Sequence, residues 1–440
     1  MKSALKRLLT AVVLAAGGAA LIWALNVRDE VNVDTTAASS NAASADTEHA
    51  RLVSRGAYLA RAGNCMTCHT ARGGEPYAGG RAIETPFGAV YTSNLTPDVQ
   101  TGLGNWSPAH FWRALHNGRS RDGRLLYPAF PYTSYTQVTR HDSDALFAYL
   151  RSLPAVAQPN QAHALRFPFQ SQPALAVWRA LYFSPGVYQP DSSRTAEWNR
   201  GAYLVKGLGH CSACHSARNA LGASTAGLDL AGGLIPMQNW YAPSLTSPHE
   251  AGVAEWDRQD LVGLLKNGVS TRASVAGPMA EVVLGSTQYL SDEDLGAMAQ
   301  YLKELPDAAP RKPSVATPRA ADSARGTRKD AERGAKLYEQ HCTQCHGDAG
   351  QGVPNAYPAL AGNRAVTMAQ AANLVQIVLN GGYAPATQGN PRPFGMPPFV
   401  LVLSDSDVAA VLTHLRQSWG NQASEITPLD VNRMRASQAR

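Results

Sequence analysis

The sequence predicts a mostly α-helical protein in which three small tandem domains with long loops follow an apolar N-terminal segment. A five-residue motif, Cys-x-x-Cys-His, begins at residues 65, 211 and 342. An opening that contains Arg-Gly-Ala precedes each copy, at residues 55, 200 and 333. After each copy, an amphipathic stretch ends in Asn-Gly and a second helical stretch closes the unit. Such self-similarity predicts one structural unit used three times.

The Cys-x-x-Cys-His motif is the attachment pattern of a c-type haem. One turn of backbone presents two thiols to the vinyl groups of one porphyrin, and the imidazole that follows is placed as the proximal iron ligand. We therefore expect three covalently bound haems c in domains of the class I cytochrome c type. The predicted attachment residues are Cys65, Cys68, Cys211, Cys214, Cys342 and Cys345, and the predicted proximal ligands are His69, His215 and His346.

Paired cysteines have two other common uses. Structural zinc needs four ligands for each ion, whereas these cysteine pairs lie far apart in the sequence. A redox dithiol does not require the histidine that follows all three pairs. The motifs use all six cysteines, which leaves none for a disulfide framework. The pattern therefore favours haem over both alternatives.

The N-terminus combines basic residues with an apolar run. Lys2, Lys6 and Arg7 precede an uncharged stretch from Leu8 to Leu25, which predicts insertion into a membrane with the remaining chain outside the cytoplasm. Its length fits either a signal peptide or a membrane anchor, and we favour an uncleaved anchor. The expected location is the periplasmic side of the inner membrane, with attachment through this segment or through a complex.

Length, charge and local composition indicate how the chain is divided into domains and connecting segments. A length of 440 residues suits about three domains, and a net charge of +6 without a recognition motif argues against a nucleic-acid partner. Two stretches rich in small and polar residues predict flexible segments. A stretch rich in proline and aromatic residues predicts a packing strap with a short helix over 173–183, or else a surface that docks a partner or membrane. The predicted segments are 1–30 (signal peptide or anchor), 31–50 (tether), 51–153 (domain 1), 154–198 (strap), 199–305 (domain 2), 306–330 (linker), 331–421 (domain 3) and 422–440 (C-terminal tail).

Within each unit, the first and last helices are expected to cross closely because one carries a glycine where the other carries a ring. The predicted pairs are Gly56 with Tyr149 and Gly201 with Tyr301, and His414 takes the place of the tyrosine in the third unit. Serine and aspartate at the starts of the closing helices, namely Asp144, Asp294 and Ser404, are candidate N-caps.

Methionines are the expected distal ligands, because a thioether in the sixth position raises the potential of an electron-carrying haem. Met279 follows Gly-Pro and Met396 precedes Pro-Pro, each between the Asn-Gly stop and the closing helix. A methionine is often only a core filler. Its position and its stiff neighbours favour the ligand interpretation for both residues.

The first domain departs from this pattern. Phe130 stands where a methionine is expected, and Met66 lies within the attachment motif, on the wrong side of the haem. The sixth ligand of the first haem is therefore unknown. His110, His116 or His141 could supply it, or the position could be open behind an aromatic shield. A surface histidine is the simpler interpretation of each, so we assign none of them.

Several stretches, in this order, resemble the three-haem cytochrome c subunit family of periplasmic membrane-associated dehydrogenases. That family includes cytochrome subunits of alcohol and gluconate dehydrogenases, and others that serve molybdopterin-containing aldehyde, isoquinoline or nicotinate oxidoreductases. The resemblance spans residues 51–421. It is carried by residues 78–81, 85–88, 93–97, 127–135, 277–283 and 396–399.

The resemblance implies an electron-transfer subunit, not an enzyme in itself. It would accept electrons from a catalytic dehydrogenase subunit, with or without an iron–sulfur subunit, and pass them to membrane quinone or another cytochrome. Phe130 departs from the alcohol dehydrogenase pattern and favours a molybdopterin hydroxylase as partner over a quinoprotein or flavoprotein. The alternative is a haem enzyme, or a protein that binds gas or peroxide at an open first haem, with Arg119, Arg121 or Arg124 nearby.

Overall fold

The computed structural model describes residues 2–30, 42–225, 229–306, 324–354 and 356–438. Residues 31–41 of the predicted tether (31–50) and residues 307–323 of the predicted linker (306–330) lie outside the described residues. The described residues 42–50 and 324–330 are not flexible coil as predicted, because they begin the helices Ala42–Ala62 and Ala324–His341. The chain divides into two compact units. The first comprises Met1–Ser192, Tyr203–His210 and Ala220–Ala223, and the second comprises Ser193–Ala202, Cys211–Asn219 and Ser224–Arg440.

Helices dominate the described residues. They are α1 (Lys2–Val27), α2 (Ala42–Ala62), α3 (Cys65–Cys68), α4 (Pro108–Asn117), α5 (Tyr132–Tyr135), α6 (Arg140–Ser152), α7 (Gln172–Tyr182), α8 (Ala196–Tyr203), α9 (Ser212–His215), α10 (Arg258–Asn267), α11 (Pro278–Gly285), α12 (Asp292–Lys303), α13 (Ala324–His341), α14 (Thr343–His346), α15 (Arg364–Thr367), α16 (Ala372–Asn380), α17 (Asp405–Gln417) and α18 (Pro428–Gln438). A π-helical turn, Leu204–Leu208, continues α8, and a 3₁₀ turn spans Thr287–Tyr289.

Short antiparallel strands support the loops. Strands β1 (Ala82–Thr85), β2 (Gly88–Tyr91) and β3 (Ala164–Leu165) form one sheet in that order. The pairs β4 (Gly233–Leu234) with β5 (Tyr241–Ala242) and β6 (Gly382–Tyr383) with β7 (Gly395–Met396) form two smaller sheets. The prediction of a mostly helical chain with long loops is confirmed.

The predicted helix crossings are confirmed at all three glycines. A Cβ atom added at Gly56 would overlap the backbone oxygen of Ala145 in α6 and lie 2.7 Å from Tyr149 Cβ. The same holds for α8 against α12 and for α13 against α17. There, Cβ atoms added at Gly201 and Gly334 would lie 2.9 Å from Tyr301 Cβ and 3.0 Å from His414 Cβ. Glycine is required because backbone meets backbone at each crossing.

An arginine just before each crossing glycine pairs with an aspartate at the start of the closing helix. Arg55 Nε donates to Asp142 at 2.6 Å, and Arg200 binds both oxygens of Asp294 at 2.7 Å. Arg333 Nε donates to Asp407 at 2.8 Å. Each ion pair fixes the crossing at a second point, one residue from the glycine.

The N-caps are predicted correctly in one helix of three. Ser404 caps α17 in a capping box. The caps of α6 and α12 are Thr139 and Ser291, so these helices begin before Asp144 and at Asp292. The predictions of Asp144 and Asp294 as caps are wrong, because a hydroxyl three residues before Asp142 and Asp294 already accepts the backbone N–H of each aspartate.

The Asn-Gly helix stops are confirmed for α4 and α10, where Gly118 and Gly268 adopt left-handed backbone conformations. The stop after α16 differs. Gly381 has a φ of 65° but a ψ of −158°, because the chain turns directly into β6. The short helix predicted over 173–183 is observed as α7.

The second unit joins residues of the second and third predicted domains. The Asn373 side chain accepts from Tyr241 N at 2.8 Å and donates to Tyr241 O at 2.7 Å. Tyr241 also packs with Met368 and Ala372 in one buried cluster. In the predicted C-terminal tail, α18 places the fully buried Val431 in the core that contains Leu412.

Candidate haem sites

The three motifs share a helical turn and one backbone hydrogen bond. In each, a single helical turn, α3, α9 or α14, contains the second cysteine and brings the histidine directly after it. The histidine N–H donates to the first cysteine's carbonyl oxygen at the same distance of 2.9 Å in all three, at His69, His215 and His346. The turn therefore presents the two thiols and the imidazole together, as covalent haem attachment requires.

A backbone carbonyl orients each of these imidazoles. The Nδ1 atoms of His69, His215 and His346 lie 2.7, 2.7 and 2.9 Å from the backbone oxygens of Ser93, Pro243 and Pro358. An Nδ1–H that donates to a carbonyl leaves the Nε2 lone pair free for a metal. Burial lowers the pKa of all three histidines, which favours the neutral form that binds iron.

Burial raises the pKa of the first cysteine of each motif, to about 12 for Cys65 and Cys211 and to about 11 for Cys342. A reactive redox dithiol instead has a cysteine with a lowered pKa, so these three thiols do not have that character. The described part of the chain contains no group of three or more His, Cys, Asp or Glu residues that could hold a metal ion. This donor set fits haem c, whose attachment converts the thiols to thioethers.

Two arginines outside the Cys-x-x-Cys-His motifs donate hydrogen bonds to the attachment turns. Arg81 donates to the carbonyl oxygen of Thr67 at 2.7 Å, and Arg218 donates to that of Ala213 at 2.5 Å. Both carbonyls belong to the residue just before the second cysteine of a motif. The two arginines follow their motifs at different distances in the sequence, so the repeat does not reveal them.

The candidate distal methionines lie in different local structures. Met279 occupies the first turn of α11, two residues after Gly277, and a Cβ atom added at Gly277 would lie 2.7 Å from the Trp240 ring. Met396 lies in β7 and packs, partly buried, against the core of the third predicted domain. Both side chains are half-buried. Their assignment as iron ligands stays a prediction.

Aromatic side chains surround the position that lacks a methionine. The Phe130 ring centroid lies 5.3 Å from that of Tyr135 and 6.4 Å from that of Tyr132. Tyr135 is buried and its hydroxyl donates to the Gly63 carbonyl, two residues before Cys65. This aromatic cluster contacts the segment just before the first attachment motif, which is compatible with the aromatic-shield alternative.

Two of the three histidines considered for the first iron, His110 and His116, make contacts within the protein. His110 completes the capping box of α4 with Ser107. His116 is buried, its Nδ1 lies 2.9 Å from Thr136 O, and its ring stacks on Trp112. Only His141 of the three is a surface side chain, so the surface interpretation is wrong for His116, which the apolar face of α4 buries.

The three arginines near the first site are engaged with protein groups. Arg119 lies 3.4 Å from the Glu30 carboxylate, Arg121 donates to Asn105 O at 3.0 Å, and Arg124 donates to the Asp122 carboxylate at 2.6 Å. A distal arginine that acts in acid–base chemistry needs free donors aimed at the iron. These contacts give the haem-enzyme alternative no support.

A family model matches the two regions that contain the first and third motifs. The cytochrome c family model matches residues 53–154 and 331–419. The chain is 38% identical over 398 residues to the cytochrome c subunit of a quinone alcohol dehydrogenase from Gluconacetobacter polyoxogenes, covering 88% of this chain and 85% of that protein. It is 37% identical over 398 residues to the gluconate 2-dehydrogenase cytochrome c subunit of Pantoea cypripedii, covering 88% and 90%.

A third relative is a nicotinate dehydrogenase subunit from Pseudomonas putida. It is 41% identical over 394 residues, which cover 87% of this chain but only 32% of that longer protein. The predicted resemblance is thus confirmed across nearly the whole length of the chain. From its motifs, its haem-site geometry and these relatives, the chain belongs to the family of cytochrome c subunits of dehydrogenases, and it is an electron-transfer subunit.

Proposed function

We propose that the chain carries three haems c in three tandem cytochrome c domains and conducts electrons from a catalytic dehydrogenase subunit to membrane quinone or another cytochrome. The threefold motif geometry supports this proposal. His69, His215 and His346 share one hydrogen-bond arrangement at Nδ1, and each motif follows a helix that makes the same glycine crossing. Bound haem supplies a one-electron ferric–ferrous couple.

The chain's own residues hold and tune these groups. The six cysteines of the motifs attach the porphyrins, and the three carbonyl-oriented imidazoles bind the irons. Met279 and Met396 complete the second and third sites and raise their potentials. Phe130 and Tyr135 cover the distal side of the first site, whose sixth ligand we leave unassigned.

A molybdopterin hydroxylase is the favoured partner. The similarity to the nicotinate dehydrogenase subunit, at 41% identity, supports this choice together with Phe130 in place of methionine. Quinoprotein and flavoprotein dehydrogenases come next, since relatives from alcohol and gluconate dehydrogenases are 38% and 37% identical. The role of this chain is the same in a complex with an iron–sulfur subunit and in one without it.

Haem stoichiometry and the partner can be measured together. The protein purified from membranes of the native host should give three haems per chain by pyridine haemochrome assay, and its intact mass should include three haems. Replacing both cysteines of one motif, as in Cys65→Ala with Cys68→Ala, should leave two. Copurification with a large catalytic subunit, identified by its cofactor, tests the partner class. Two or fewer haems in the unaltered protein would refute the three-domain assignment.

A further inference from the structure

Among the described residues, one helix is long and apolar enough to span a membrane: Ser3–Val27 within α1. The C-terminal end of this helix is built into the first unit. Asn26 is buried although it lies in an apolar helix. Its side chain donates to Ala176 O of α7 at 2.9 Å and accepts from Arg179 Nε at 2.9 Å. Its backbone oxygen accepts from Arg119 at 3.1 Å.

The residues that follow α1 continue this contact. The Glu30 carboxylate lies 3.4 Å from Arg119 and 3.8 Å from Arg113, and Asn117 donates to Asp29 O at 3.3 Å. The three arginines, Arg113, Arg119 and Arg179, are all largely buried, which is costly without a counter-charge. Residues 26–30 supply a carboxylate and carbonyl oxygens to these arginines. We name the contacts between residues 26–30 and the three arginines the anchor latch.

Helix α7 lies beside the end of the span. One face of it is buried through Leu175 and Arg179. The other exposes apolar side chains one turn apart: Leu181 is 63% exposed and Val177 is 43% exposed. Because Ala176 of the same helix binds Asn26, this apolar face is next to the point where α1 leaves the protein. An amphipathic helix at that point suits the boundary between lipid and water.

The anchor latch also reaches the first haem site. Gln172, the first residue of α7, exchanges two hydrogen bonds with the backbone of Leu125, at 2.7 and 3.1 Å. Leu125 and Arg119 belong to the loop that leads from α4 to Phe130. The loop on the distal side of the first site is therefore bound directly to the two helices that we place at the membrane.

We propose that α1 is retained as a membrane anchor and that α7 lies on the phospholipid surface beside it, so that the anchor latch holds the distal loop of the first haem site at the membrane. The partner of this surface is the lipid bilayer, because the helix that carries these exposed apolar side chains contacts the C-terminal end of the span through Ala176. Arg28, which donates to Ser184 at 2.8 Å, adds a positive charge that suits anionic headgroups. The consequence for the first haem rests on the proposed function.

The latch also bears on processing. The small residues Ala19 and Ala20 lie six to seven residues before Asn26, within one continuous helix. Cleavage after Ala20 would leave the anchor latch in place but without a membrane span. Intact mass of the membrane-purified holoprotein should include residues 2–20, and a chain that begins at Leu21 would overturn the retained anchor.

Lipid contact is tested with a single label. Leu181→Cys provides a reactive thiol for a fluorophore, and Leu401→Cys, 96% exposed in the third predicted domain, is the control. In vesicles of phosphatidylethanolamine and phosphatidylglycerol with doxyl-labelled lipid, we expect at least twofold quenching at 181 and none at 401. Equal quenching at the two positions would overturn the surface contact. The unaltered protein takes up no label if all six cysteines hold haem, which tests the proposed function separately.

The latch is tested with a matched pair in α1. Asn26→Leu removes both side-chain bonds to α7 and leaves an apolar span. Thr10→Leu removes only a bond to Lys6 O within the helix. Trypsin cleavage at Arg28 in vesicles should be about tenfold faster in Asn26→Leu than in Thr10→Leu, since each lost hydrogen bond is worth on the order of a fewfold in the opening equilibrium. Equal cleavage rates in the two variants would overturn the latch.

Discussion

The crossing of α8 and α12 gives a quantitative test of the repeated helix packing. In Gly201→Ala, the new Cβ overlaps the Ala297 oxygen and lies 2.9 Å from Tyr301 Cβ, where ordinary contacts begin at 3.4 Å. The helices must therefore part by about 1 Å or more to clear the Ala297 oxygen, which also strains the Arg200–Asp294 ion pair. Overpacking of this kind costs about 1–3 kcal/mol, and lost ion-pair geometry adds to it, so it outweighs the gain of up to about 1 kcal/mol in helix propensity.

The matched control is Gly263→Ala in α10, in the same predicted domain. There the nearest atom to an added Cβ is Val269 O at 3.7 Å, an ordinary contact. This variant should gain about 0.5–1 kcal/mol. The two variants should differ by about 2–3 kcal/mol, which is on the order of 10 °C in the melting temperature of a domain of this size, followed by circular dichroism. If Gly201→Ala melts at or above Gly263→Ala, the close crossing is refuted.

Three further predictions concern the haem sites and the first unit. Met279→Ala and Met396→Ala should each lower one haem potential by on the order of 100 mV in a spectroelectrochemical titration, whereas Met298→Ala, at a buried core methionine, should lower stability and leave every potential in place. Phe130→Met should raise the first potential and reduce carbon monoxide binding by the ferrous protein; an unchanged potential and unchanged binding would show that another side chain closes the site. Asp142→Asn should destabilise the first unit by about 1.5–3 kcal/mol in urea, since the buried carboxylate binds Arg55 at 2.6 Å and the Tyr203 hydroxyl at 2.7 Å; a loss of under about 0.5 kcal/mol would contradict this.

Local patterns predicted much of this fold. The crossings at Gly56, Gly201 and Gly334 follow from a glycine and a bulky residue at matching places in each repeat. The glycine recurs in all three repeats because a side chain there would prevent the backbone contact. The N-cap residues are harder to predict from the sequence. Thr139 and Ser291 stand before the residues that begin the apolar pattern, and helix starts are fixed by which hydroxyl reaches a backbone N–H, not by periodicity.

Contacts between distant residues could not be predicted. Asn26 and Ala176 are 150 residues apart, and nothing in either stretch specifies the other. The role of His110 was equally hidden, because a histidine three residues after a serine has no fixed meaning until the helix start is known. The sequence predicts only that Met279 lies between the Asn-Gly stop and the closing helix, and the structure adds a further helix there, α11, which begins at Pro278.

The pairing of Asn373 with Tyr241 has a consequence for how the second and third predicted domains stay together. A single side-chain amide satisfies both backbone groups of Tyr241, as a neighbouring strand would, and Arg364 adds a bond to Gly252 O at 2.8 Å. The two partners belong to one chain, so their effective concentration is in the millimolar range. At this effective concentration, an intrinsic docking free energy of only about −4 kcal/mol keeps the two domains docked half of the time. A slightly more favourable docking free energy keeps them docked most of the time. These few polar contacts are sufficient to hold the two domains together because the covalent chain prevents them from diffusing apart.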